Sequence, residues 1–126
     1  MVGEIRKLIT PYYDKTGKKQ KFKSRPALIL QEISGDYVYL PISTITDKSR
    51  IDPKYDYQIL ITKYPNLALT KDSYIRVNKQ SVTNRANIAD KISDLRIEYP
   101  ELFSDIVGLI EQCHSELTAG LNSLIV

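Results

Sequence analysis

Residues able to hold an anion fall at four places in this chain. Arg25 stands at the head of an apolar run, Ala27-Leu28-Ile29-Leu30, and Ser43 and Thr44 close a second apolar segment. Arg76 lies two residues before Asn78 and three before Lys79, and lysines crowd positions 15, 18, 19, 21 and 23. A guanidinium is charged at any ordinary pH and offers a fixed fork of donors. With hydroxyl and amide groups beside it, it forms the usual grip on a phosphodiester. Arg25-Pro26 places such a charge at the rim of a buried sheet. Lys18, Lys19, Lys21 and Lys23, just before it, suit the steering of a polyanion.

Other chemistries find little material. The single histidine, His114, neighbours the single cysteine, Cys113, on a stretch with helical periodicity. Adjacent helical side chains diverge by about 100°, so the two do not form a thiol–imidazole pair. One Cys and one His supply no metal-ligand cluster, and the five glycines are scattered singly, so no phosphate loop is present. No metal and no cofactor is expected. The lone cysteine excludes an internal disulfide framework and fits a reducing compartment. No apolar run reaches membrane-spanning length and no secretory pattern opens the chain, so a soluble cytoplasmic protein is expected.

The 126 residues suffice for one domain with its own core, and residues 1–126 read as a single unit. Charge is unevenly divided. Residues 1–89 hold 16 Lys/Arg against 8 Asp/Glu, whereas residues 90–126 hold 2 against 7. A basic body with an acidic C-terminal segment points to a polyanionic partner on one side.

The elements that must carry these groups follow from periodicity. Gly3–Thr10 reads as a first strand stopped by Pro11, and Tyr12–Ser24 as a long basic loop, mobile unless something covers it. Arg25–Ile33 is a second strand, turning at Ser34-Gly35-Asp36 into a third over Tyr37–Ser43. Alternation there sends Val38, Leu40 and Ile42 to the core and Tyr37, Tyr39, Pro41 and Ser43 outward. Tyr55–Thr62 and Ser73–Asn78 are further strands, the latter putting Tyr74, Arg76 and Asn78 on one face. Lys79–Thr83 extends or re-enters the sheet, and residues 87–96 suit a short helix or a strand. Pro100 opens an amphipathic helix that Gly120 is placed to stop. The sum is an α+β domain with a small, bent antiparallel sheet and a C-terminal amphipathic helix.

Gly3-Glu4-Ile5, Ser24–Leu30, Leu40-Pro41-Ile42-Ser43-Thr44 and Ser73–Lys79 together resemble the PemK/MazF toxins of type II toxin–antitoxin systems. The resemblance covers roughly residues 2–117, in the family's order and near its spacing. It implies a CcdB/PemK-type fold, a small SH3-like antiparallel β-barrel with a C-terminal helix, assembled as a homodimer. It also implies a metal-independent endoribonuclease cutting single-stranded RNA at short sequences, by 2′-OH attack that leaves 2′,3′-cyclic phosphate and 5′-OH ends. By position, Arg25 matches the family's catalytic arginine, Ser43 and Thr44 its phosphate-binding hydroxyls, and Arg76 a second functional arginine of the PemK branch. Lys18, Lys19, Gln20, Lys21, Lys23, Asn78 and Lys79 are then the RNA-binding residues. The implied protein partner is an acidic antitoxin, and DNA would be bound only through the antitoxin complex.

The chain departs from the pattern twice. Asn78 stands where the PemK branch has an Asp, and Lys18–Ser24 lacks the histidine that some relatives carry. The general base is therefore open. Two alternatives stay on the table: a non-catalytic SH3-like RNA-binding or interaction module, and a CcdB-type gyrase poison. The poisons act through a Trp-Gly-Ile tail, whereas this chain has no tryptophan and ends Ser123-Leu124-Ile125-Val126.

Overall fold

The computed structural model describes residues 1–13 and 15–125, the side chains of residues 11–13 excepted. Seven strands run in chain order: β1 (Glu4–Tyr13), β2 (Gln20–Ile33), β3 (Asp36–Thr44), β4 (Asp56–Ile59), β5 (Ser73–Arg76), β6 (Ser81–Asn84) and β7 (Ile88–Asp94). A single helical turn, α1 (Leu95–Glu98), and a long helix, α2 (Pro100–Ile125), complete the chain. All pairings are antiparallel, and the order is β4-β5-β3-β2-β1-β7 with β6 also on β3. The end strands β4 and β7 do not pair, so the sheet is open and the expected barrel does not close in the strand ladder.

The β2–β3 hairpin turns on two residues, Ser34 (φ 50°) and Gly35 (φ 87°), between the paired Ile33 and Asp36. Two consecutive positive φ values match the right-handed twist of the flanking strands. The register then slips by one between Ile29 and Gln31, a bulge at Leu30. Beyond it, Ile29 opposes Tyr39, Leu28 opposes Leu40, and Ala27 opposes Pro41, where the ladder ends. Pro26 and Pro41 both lack an N–H, so neither can extend the ladder. From there the two strands part: β3 continues as Ile42–Thr44 against β5, and β2 runs back along β1.

Alternation sorts the side chains to two faces as the sequence pattern suggests, except that Val38 is half-buried and joins neither core cluster. On one face Leu28, Leu40, Ile42, Ile59, Ile75 and Val77 form a core with Leu102 and Ile106 of α2. On the other, Leu8, Ala27, Ile29 and Ile88 make a smaller cluster, against which Tyr37 and Tyr39 pack. Gly3 is tied to the end of β7 by close approach. With φ +85° its carbonyl accepts the Leu95 and Arg96 amides, and a Cβ there would lie 2.5 Å from that of Arg96.

Several expected boundaries move. Pro11 does not stop β1: it sits opposite Phe22 in a ribbon that continues to Tyr13↔Gln20. The basic loop therefore shrinks to residues 14–19, of which Asp14 lies outside the described residues. Backbone pairing carries a lysine-rich segment of low strand propensity into the ladder. β5 ends at Arg76, and Asn78 falls in the turn closed by the Lys79 amide on the Arg76 carbonyl. Residues 87–96 divide between β7 and α1. Gly120 does not end α2, which runs on to Ile125; without a left-handed φ a glycine merely weakens a helix. No described helix is long and apolar enough to cross a membrane.

Candidate functional site

Where β2 and β3 part, a polar cavity of about 490 Å³ opens, lined by Ser24, Arg25, Ser43, Thr44, Thr46, Asp47, Arg50 and Tyr74, with Pro26 and Ile42. Had the ladder continued two residues past Ala27↔Pro41 in its register, Arg25 would face Ser43. The two prolines open that gap, and the cavity fills it. Ser43 pairs with Tyr74 and Thr44 with Ser73, so β5 holds the hydroxyl pair in place from the other side.

Arg25, Lys23 and Lys21 alternate along one continuous strand, so their side chains leave the same face of the ribbon. That aligns three cations in a row leading away from the cavity. At about 3.3 Å per residue, Gln20 lies roughly 17 Å from Arg25 along the strand. Lys18, Lys19 and Gln20 are thus at the exposed hairpin tip, outside the cavity wall. Asn78 and Lys79 are exposed in the turn after β5 and also stand outside it.

The arginines differ in their company. Arg6, Arg50 and Arg76 lie 3.1, 3.8 and 3.8 Å from carboxylate oxygens of Glu4, Asp47 and Asp56 respectively. Arg25 is exposed and, among the described residues, has no such counter-charge, which leaves its fork for an external anion. Arg76 sits opposite Asp56 in the β4–β5 register, and the Asp56 side chain is fully buried. Its face of β5 is that of Tyr74, but it does not line the cavity.

Arg50, Tyr74, Thr46 and Asp47 belong to the cavity and were not among the residues expected from sequence. Asp47 caps a 3₁₀ turn over Lys48–Arg50: its Oδ1 accepts the Ser49 amide at 2.9 Å and the Ser49 hydroxyl at 2.7 Å. The cap orients the turn that brings Arg50 to the rim. An aspartate two residues before a serine is a local turn signal that could have flagged this segment. The Ser49 hydroxyl, and then its backbone N–H, hold the Asp47 carboxyl below the usual carboxylate range. A carboxylate so satisfied is a poor proton acceptor.

The other candidate groups lie elsewhere. His114 Nε2 is 3.1 Å from Gln80 Oε1 at an exposed position of α2, and Cys113 is half-buried. No metal-holding group of His, Cys, Asp or Glu occurs among the described residues. Compared with known proteins, the chain matches no family model and no curated sequence.

Proposed function

We propose that this chain is a metal-independent endoribonuclease acting on single-stranded RNA, the toxin half of a PemK/MazF-like toxin–antitoxin pair with a CcdB/PemK-type fold. The observation that carries the reading is the meeting of Arg25, without a counter-charge among the described residues, with Ser43 and Thr44 on one polar cavity, at the root of a ribbon bearing Lys21 and Lys23. The ribose 2′-OH attacks the adjacent phosphorus, the P–O5′ bond breaks, and a 2′,3′-cyclic phosphate and a 5′-OH result. Arg25 stabilises charge developing on the phosphoryl oxygens, and the hydroxyls of Ser43 and Thr44 donate to the same group. DNA lacks the nucleophile, so RNA is the substrate.

The uncovered stripe of Leu117, Leu121 and Leu124 on the distal half of α2 suits a homodimer, and an acidic antitoxin segment suits the cationic ribbon. Binding to DNA then occurs through the antitoxin complex. Incubation of single-stranded RNA of varied sequence with the protein in EDTA should yield fragments with cyclic phosphate ends. Uniformly intact RNA would leave the second reading, a non-catalytic RNA-binding module. That reading is favoured by the lack of a strong base on the cavity wall.

The same feature shapes the pH profile. Because its folded pKa is depressed, Asp47 stays ionised above the acid range, and any stability tied to it is lost only as pH falls through that lowered value. It therefore adds no inflection near neutrality. Cleavage should rise roughly tenfold per pH unit between about pH 6 and 8, following hydroxide rather than a side-chain base. A plateau with a midpoint near 6–7 in single-turnover rates would reveal a group that titrates there. His114→Ala should leave the profile unaltered.

The ribbon lysines should each contribute a charge to binding. Lys21→Ala and Lys23→Ala should each lower the slope of log K against log salt by about 0.7, the single-strand value per phosphate contact. Filter binding from 50 to 300 mM salt measures it, and an unchanged slope would place RNA elsewhere.

A further inference from the structure

A second cavity, of about 320 Å³, adjoins the polar one and shares Arg25, Pro26, Ile42 and Ser43 with it. Its character is different. Leu8 and Ala27, 5% and 1% exposed, form an apolar floor, and Tyr39 and Pro41 stand as walls. Thr10 and Lys23 supply polar groups at the rim.

The register explains the composition. Leu8 opposes Arg25, Thr10 opposes Lys23, Ala27 opposes Pro41, and Ile29 opposes Tyr39, so all of these leave one sheet face. Tyr39 packs on the Leu8–Ala27–Ile29–Ile88 cluster. Packing therefore fixes its ring in advance, which lowers the entropy lost when a flat group lies against it. A nucleotide has the same two-part character: an anionic phosphate and a base that is apolar on its faces and polar at its edge.

We propose that this cavity is a nucleobase subsite, in which the base next to the phosphate held at Arg25 stacks on Tyr39 and Pro41 while Thr10 and Lys23 meet its edge. The inference rests on the RNA reading above, but not on cleavage. Base–aromatic stacking is worth about 1–3 kcal/mol per base, or roughly 5- to 150-fold in affinity. The size, within the ordinary range of small-ligand sites, admits one base rather than a stack of several. Apolar walls with a cationic rim favour a base over the side chain of an acidic peptide.

The test uses uncleavable 2′-O-methyl heptanucleotides of each homopolymer, with an all-abasic heptamer of equal charge as reference, and fluorescence anisotropy as readout. The wild-type protein should bind at least one base-bearing heptamer about tenfold or more tighter than the abasic one. Tyr39→Leu, which keeps apolar bulk and removes the ring, should erase that difference while leaving abasic binding within twofold. Tyr39→Phe should retain it. Thermal melts of both variants establish that they are folded. A base-dependent gain that survives Tyr39→Leu, or its absence in the wild type, overturns the proposal; binding to an acidic peptide lost in its place would do the same. Failure of RNA cleavage leaves this result readable, since no oligonucleotide here is cut.

Discussion

Arg25→Ala is expected to lower single-turnover RNA cleavage by at least about a hundredfold while shifting the melting temperature by no more than a degree or two. Loss of one preorganised donor to a developing oxyanion typically costs 10²–10³ in rate, about 2.7–4 kcal/mol. Arg25 sits where such a donor would act, on the rim shared by both cavities and unmatched by a carboxylate among the described residues. Its exposed side chain contributes little packing, so folding should barely register the change. Arg25→Lys should recover only part of the rate, because an ammonium supplies a point charge without the planar fork. Full-rate cleavage by the alanine variant would remove Arg25 from the chemistry, whatever its effect on binding.

Much of the scaffold could be read from pattern. The apolar run Ala27–Leu30, the Ser34-Gly35 turn and the inward Leu40 and Ile42 each follow from short-range physics, and each is found. What pattern could not supply is register. Counting back from the paired Ile33 and Asp36 without interruption would carry the register to Arg25 and Thr44; the bulge at Leu30 shifts it so that Arg25 and Ser43 border the same gap. A bulge is chosen by local twist and the packing of both faces, so one strand's sequence does not announce it. The same holds for the basic ribbon. Residues 20–23 of the lysine-rich segment read as loop by propensity, yet Thr10–Tyr13 of β1 offers them a partner. Arg50 and Asp47 gain their place at the cavity only when the 45–55 segment folds against the β2–β3 gap, which no local pattern specifies. Arg76 illustrates the reverse case: its strand face was legible, but its partner, Asp56, depends on β4 register across an irregular segment.

That partnership sets the second large effect, on stability. Asp56→Ala should destabilise the protein by about 2–3 kcal/mol, a fall of roughly 10 °C in melting temperature. Two losses combine. Asp56 Oδ2 accepts the Asp52 amide at 2.9 Å, which closes the turn into β4, and Oδ1 is the counter-charge 3.8 Å from Arg76 Nε. With the carboxylate gone, a guanidinium only 35% exposed is left partly desolvated and unpaired. Asp56→Asn keeps an acceptor for the Asp52 amide and should fall between the two. Arg76→Ala should cost at least as much as Asp56→Ala, since it strands a fully buried carboxylate, and the Asp56→Ala/Arg76→Met double variant should recover part of the loss. The pair of readouts divides the roles of the two arginines. Arg25→Ala should lose rate and keep stability, whereas Arg76→Ala should lose stability first. If Arg76→Ala melts like the wild type and yet cleaves RNA a hundredfold more slowly, Arg76 leaves Asp56 to act on the phosphate, and its ion pair is the resting position of a second cationic group of the site.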